Sequence, residues 1–321
     1  MRIKRIYIVQ SPISFMISMM DIEHNRYNPT DIIFILKNKF SFPSNIRNSF
    51  KCIIYEPSIF NRILKKIFSI YFPPLNLYLK LLSLYLMQEN IYIYCSWMFE
   101  EAEYISNWVN CKKHFYLEDG QFGQLSKSLY ENKNNLLFKH RKNLNRYEYS
   151  FRKDCSGFLC INENAYKAHY EVPRFIYKDF KSCFKWYTPK LKGINTIILG
   201  PHPNRMNKKT YVKSILDKCM RIETQWALKL HWGIICYKKL YKEFLKEFKK
   251  INPSKGILCD QYTIIELEMF LEKKTLLGQV TSLALYAEQF GSSYNLIDFD
   301  GYKGFEDDSQ FFMPESAKSK N

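Results

Sequence analysis

Four short stretches of this 321-residue chain carry side chains able to move a proton or hold an anion. "KHFYLEDG" (113–120) runs from apolar residues straight into two carboxylates, Glu118 and Asp119, and then Gly120. "IILGPHPN" (197–204) ends in Gly200 and His202, and "ALKLHW" (227–232) carries Lys229 and His231. "QVTSLAL" (279–285) places the hydroxyls of Thr281 and Ser282 where a helical pattern opens. A positioned carboxylate can take the proton of a reacting hydroxyl, and a second one beside it raises its proton affinity. Imidazole, ammonium, hydroxyls and a helix N-terminus suit a phosphate. Each group also has an ordinary use: Asp-Gly is a common turn, a histidine beside an aromatic residue packs in cores, and Thr-Ser caps helices. Their shared position after strand-like runs is what argues for chemistry.

Those runs alternate with helical patterns. "IKRIYIVQ" (3–10), "DIIFIL" (31–36), "FKCIIYE" (50–56), "IYIYC" (91–95) and 113–117 read as short buried strands, with helices predicted over 13–20, within 58–87 and over 98–109. Residues 121–188 break the rhythm with a polar stretch, "ENKNNLLFKHRKNLNRYEYSFRK" (131–153) being its most charged part. Alternation resumes with strands at 194–200, 224–232, 256–260, 274–280 and 294–299, and helices at 211–220, 237–248, 263–272 and 281–291. The pattern predicts two doubly wound, Rossmann-like α/β domains, 1–188 and 189–321, and such sheets bind ligands beyond the carboxyl ends of their strands.

Composition narrows the partners. A net charge of +17 favours anionic ones: nucleic acid, an anionic membrane surface or a phosphorylated substrate. No helix-turn-helix, zinc-finger or aromatic RNA-binding signature accompanies that charge, so no nucleic-acid partner is expected. Nine cysteines without paired metal spacing, and no signal peptide, point to a reduced cytoplasmic setting. No run of about 18 apolar residues predicts a bilayer span. The segment 58–87, rich in Ile, Leu and Phe with basic edges, is a candidate for peripheral contact with anionic lipid at the inner face of the plasma membrane.

Taken in order, "YLEDG", "IILGPHP", "LKLHW" and "QVTSLAL", together with "IYIVQSP" at the start, resemble the motifs of the bacterial sialyltransferases with a glycosyltransferase-B fold. That group includes lipooligosaccharide sialyltransferases and capsule polysialyltransferases. The resemblance implies two domains facing a cleft, the first on the acceptor side and the second binding the nucleotide sugar. It implies inverting transfer of sialic acid from CMP-sialic acid to a hydroxyl of a cell-surface glycan or glycolipid. Glu118 is then the base, His231 a catalytic donor to the departing phosphate, and Asp119 and Gly120 acceptor contacts. Gly200, His202, Lys229, Thr281 and Ser282 belong to the nucleotide side. Two departures from the pattern stand out: His231 precedes Trp232 rather than a proline, and the literal His202-Pro203 lies one strand earlier. A glucosyltransferase or another sugar-nucleotide enzyme of the same fold is the alternative, and a non-catalytic glycan- or nucleic-acid-binding protein a remote one. "DFD" (298–300) matches a metal-binding tripeptide of a different glycosyltransferase fold, and "EDD" (306–308) reads as a solvated acidic run. No metal and no cofactor beyond the donor substrate is expected.

Overall fold

The computed structural model describes residues 3–37, 43, 45–55, 81, 82, 90–96, 105, 111–118, 120, 123, 147, 148, 151, 152, 155–167, 171–251, 254–279 and 281–303. Asp119, the "EDD" run, most of 131–153 and, apart from the helical Leu81, Leu82 and Ile105, the expected helices within 58–87 and over 98–109 lie outside the described residues. The chain divides into two compact units, Met1–Trp186 and Tyr187–Asn321.

In the first unit β1 (Ile3–Val9) stops at Ser11-Pro12, where the sequence itself starts a helix. The Ser11 hydroxyl accepts from Ser14 N, the Ser14 side chain accepts from Ser11 N, and Pro12 occupies the first turn of α1 (Pro12–His24). The helix carries the chain back so that β2 (Ile32–Lys37) pairs parallel with β1. After the short α2 (Ile46–Ser49) come β3 (Lys51–Tyr55), β4 (Asn90–Ser96) and β5 (Cys111–Leu117). A two-stranded hairpin of β6 (Tyr147–Glu148) and β7 (Phe151–Arg152) precedes β8 (Cys155–Cys160) and β9 (Arg174–Ile176). The main sheet is parallel, in the order β3-β2-β1-β4-β5-β8-β9.

The last two strands correct the expectation that 121–188 leaves the strand–helix rhythm. "CSGFLC" lacks the β-branched residues that signal a strand, and its Gly157 has a packing reason. A Cβ there would lie 2.6 Å from the Phe175 ring and 3.3 Å from that of Phe115. On the α1 face of the sheet, Tyr7 stacks on Tyr94 at 4.3 Å and Tyr94 on Phe115 at 4.8 Å between ring centroids. The other face is mainly aliphatic, built on Ile6, Ile8, Ile33, Ile35, Ile91 and Ile93.

The second unit alternates β10 (Thr196–Leu199), α3 (Lys208–Met220), β11 (Trp226–Lys229), α4 (Lys238–Lys250), β12 (Gly256–Leu258), α5 (Ile265–Leu271), β13 (Thr275–Gly278), α6 (Leu283–Gln289) and β14 (Ser293–Leu296). Its parallel sheet has the order β12-β11-β10-β13-β14. α4 covers the sheet with Leu240 and Phe244 buried and its lysines outward, as the helical spacing predicts. Both sheets are therefore doubly wound, with the direction of winding reversing between β1 and β4 and between β10 and β13. The architecture is α/β with two Rossmann-like sheets. No helix among the described residues is long and apolar enough to cross a membrane.

Candidate functional site

Because the second sheet is parallel, the carboxyl ends of its strands share one edge. Gly200 is the first residue past β10, and its N–H donates to the Lys229 carbonyl at 2.9 Å. A Cβ there would sit 3.1 Å from Leu230 Cδ2 and 3.3 Å from Leu230 Cα. The continuation of β11 thus accounts for the glycine. His202 and His231 then leave their two strands in the same way. Each caps a 3-10 turn, Pro203–Arg205 and Trp232–Cys236, with its Nδ1 accepting from a backbone N–H two residues on. The partners are Asn204 N and Gly233 N, both at 3.0 Å.

The neighbouring turns bring the imidazoles to 4.5 Å between centroids, with planes tilted by 58°. Gly233 lies against both: a Cβ on it would be 2.9 Å from His202 Nε2 and 3.1 Å from His231 Nδ1. With Nδ1 accepting, hydrogen bonding assigns the proton of each neutral ring to Nε2. Burial pushes the His231 imidazole down to about 4, and the neighbouring His202 ring adds to the effect. His202 is lowered as well, by burial first and by Arg205 second. At neutral pH the pair is uncharged and acts through N–H donation; an anion placed against it would favour protonation.

Sequence reasoning treats the two histidines as alternatives, and the structure places them side by side. The signal available was the pairing of β10 with β11, which puts the residues after each strand next to one another. Gly233 was not anticipated. Nothing in "HWGII" marks it, because the ring it accommodates comes from 31 positions earlier.

Lys229 is used internally. Its Nζ donates to the carbonyls of Asp260 and Gln261 at 2.8 and 3.2 Å, holding the loop after β12. Burial lowers its pKa, and burial also pushes the neighbouring Cys259 thiol up to about 12. Glu266 in α5 is 5% exposed and raised to about 7, again by burial. Across the switch point, Thr281 and Ser282 follow β13. Thr281 Oγ1 accepts from Leu283 N at 3.3 Å, whereas Ser282 makes no side-chain cap to the seven-residue α6. Gln279, the first residue past β13, is held by Tyr294, whose hydroxyl donates to the Gln279 carbonyl, and by its own amide, which donates to the Ile297 carbonyl.

In the first unit Glu118 follows β5, and its backbone N–H donates to the Leu159 carbonyl at 2.9 Å. Its side chain is 0% exposed, and Oε2 accepts from Ile161 N and Asn162 N at 2.8 and 2.9 Å. The carboxylate ties the end of β5 to the end of β8. Gly120 adopts φ +55°, the left-handed region that favours glycine. In the "DFD" tripeptide Phe299 is buried, and Asp300 engages α3: its N–H donates to Ser214 Oγ at 2.7 Å and its carbonyl accepts from Thr210 Oγ1 at 3.2 Å. Among the described residues no group of three or more His, Cys, Asp or Glu is placed to hold a metal ion.

No family model and no curated protein matches the sequence. Among solved structures, the chain is similar to Anabaena HepE in complex with UDP and glucose, at 9% identity over 92% of this chain and 80% of the other, with a TM-score of 0.44. Staphylococcus aureus MnaA with UDP gives 10% identity over 94% and 80%, with a TM-score of 0.45. Escherichia coli ADP-heptose heptosyltransferase II gives 10% identity over 91% and 84%, with a TM-score of 0.38. Similarity at this level assigns no activity, which rests on the residues of this chain.

Proposed function

We propose that the chain is an inverting glycosyltransferase that takes its sugar from a nucleotide donor held at the carboxyl edge of the second sheet. The observation that carries this reading is the His202–His231 pair, 4.5 Å apart beside the switch point of a doubly wound sheet. In the proposed step an acceptor hydroxyl attacks the anomeric carbon, and the bond from that carbon to the phosphate oxygen breaks. The electron pair leaves with the nucleotide, and a carboxylate takes the hydroxyl proton. Imidazole N–H groups aimed at the phosphate stabilise the charge as it develops, one such donor being worth about 3–4 kcal/mol. Thr281 and Ser282, which follow β13, the strand next to β10, add hydroxyls on the same edge.

Charge stabilisation is assigned to these side chains rather than to a divalent cation; turnover lost in EDTA and restored by Mn²⁺ would reverse the assignment. In the first unit Glu118 acts as a clamp between the ends of β5 and β8, because its carboxylate is buried and bonded to backbone. Asp119, the second carboxylate of the motif, is the proposed base toward the acceptor.

CMP-sialic acid is the donor implied by the motif resemblance. The imidazole pair meets a phosphate, which every nucleotide sugar carries, and the clamped Glu118 loosens the tie to sialyl transfer. The reading is therefore the wider donor class, with a UDP-sugar such as UDP-glucose as the direct competitor. Side-by-side hydrolysis of CMP-sialic acid and UDP-glucose, with and without glycan acceptors, tests it. Turnover of neither by the purified chain would sink the enzymatic reading.

A further inference from the structure

The first unit contains a cavity of about 1000 Å³ that neither Glu118 nor any residue of the second sheet lines. It lies on the α1 face of the first sheet, beside the C-terminal turn of α1, at the upper end of the size range of ligand pockets. Its apolar lining is mainly aromatic, with Met20, Leu159 and Ile176 beside the rings. Tyr94 and Phe115 end the stacked row that crosses the sheet. Where that row would continue, β8 has Gly157, and the ring of Phe175 from β9 lies over the gap, 6.4 Å from Phe115 between centroids. Phe175 is 44% exposed, so one large ring on the edge strand meets solvent at the cavity.

The rest of the lining is polar and mixed in sign. Asn25, Arg174, Asp179, Lys181 and Ser182 supply donors and acceptors in the same small space. The wall behind them is rigid: the buried Asp21 carboxylate accepts from the hydroxyls of Tyr7 and Tyr177 and from Asn25 Nδ2 at 2.8 Å. Arg174 is fixed by donating to the carbonyls of Glu163 and Ala165 at 2.8 and 3.1 Å. Lys178 and Lys185 are paired with Glu163 and Glu23, so the cavity is not a concentrated positive field. A ring face bordered by both donors and acceptors suits a pyranose. The apolar C–H face of the sugar lies on the aromatic ring, and its hydroxyls serve as both donors and acceptors toward the rim.

We propose that this cavity is a carbohydrate-binding subsite that holds sugar units of the acceptor glycan, with Phe175 as its platform. The acceptor assignment rests on the glycosyltransferase reading; carbohydrate binding does not, and the test separates the two. The full chain is applied to an array of neutral and acidic oligosaccharides, and the strongest binder is titrated calorimetrically against wild type, Phe175→Leu and Phe175→Tyr. Leu keeps an apolar group over Gly157 but has no ring face, whereas Tyr keeps the ring. Loss of the ring face should weaken binding by Phe175→Leu roughly three- to tenfold, and Tyr should stay near wild type. A wild-type chain that binds no oligosaccharide on the array overturns the proposal, as does equal binding by Phe175→Leu. If binding depends on Phe175 while no nucleotide sugar is turned over, the subsite stands and the enzyme falls. If turnover is found without dependence on Phe175, the reverse holds.

Discussion

At the scale of single residues, the two motif groups separate by what their side chains are doing. Each histidine spends Nδ1 on a backbone cap, which fixes the ring, and keeps its proton on Nε2. His231→Asn should preserve the cap, because the Asn Oδ1 lies close to the Nδ1 position, while deleting the Nε2 donor. The expected result is a melting temperature near wild type with turnover down about a hundredfold, the usual cost of one oxyanion-type donor. Unchanged turnover would remove His231 from the mechanism. The same residue predicts a pH effect. With its folded pKa lowered to about 4 from the ordinary 6.5, the unfolded chain binds the extra proton below 6.5. Its stabilising contribution is therefore full above pH 6.5 and lost as pH falls through about 4. A denaturation series over that window should show a shallower slope in His231→Asn. Glu118 makes the opposite prediction. Glu118→Ala leaves the buried Ile161 N–H, at about 1–3 kcal/mol, and the half-buried Asn162 N–H without their acceptor, and should lower stability clearly by thermal denaturation. Glu118→Gln keeps an acceptor oxygen and should retain turnover within about tenfold, whereas Asp119→Asn should lose about a hundredfold. A hundredfold loss in a well-folded Glu118→Gln protein would return the base role to Glu118.

At the scale of elements, what the sequence made legible follows from how local each cause is. The Ser11-Pro12 start of α1 and the amphipathic spacing of α4 are written in adjacent residues, and both elements form where those residues place them. Gly291 after α6 likewise adopts φ +68°. β8 and β9 were not legible, because "CSGFLC" owes its strand geometry to β5 on one side and to the Phe175 ring over Gly157 on the other. The histidine pair was half legible: position after a strand could be read, but contact between the rings depends on two separate turns and on Gly233. α5 holds a residue the motifs did not mark. Glu266 is raised to about 7 by burial, against 4.5 for an ordinary glutamate, so ionising it inside the fold is unfavourable. Stability from this group is full below about pH 4.5 and is lost as pH rises through about 7, a change of order 2–4 kcal/mol. Glu266→Gln should flatten that decline and be the more stable protein at pH 8. If its stability follows the wild-type pH curve, the carboxyl is already solvated or paired.

At the scale of the whole chain, each sheet closes its own core. One cluster is built on Ile6, Ile33, Ile93 and Phe158, and the other on Ile198, Tyr211, Trp226 and Phe244. The second unit ties its own start into that core: Tyr187, Lys190 and Leu191 donate to the buried Glu268 carboxylate of α5. A chain with two cores is a candidate for two unfolding transitions rather than one. If the nucleotide is held at the carboxyl edge of the second sheet, it binds only while that sheet is folded. By mass action, a nucleotide at a hundred times its dissociation constant adds about 2.7 kcal/mol to the unit that binds it and nothing to the other. Calorimetry with CMP and with UDP should therefore raise one transition and leave its neighbour in place. His231→Asn should reduce the shift, because the lost donor belongs to the same edge. An oligosaccharide bound beside Phe175 should move the other transition, giving each ligand its own unit as a reporter. Should the nucleotide raise the transition that the oligosaccharide also raises, and leave the second core untouched, the donor would have to be reassigned to the first sheet.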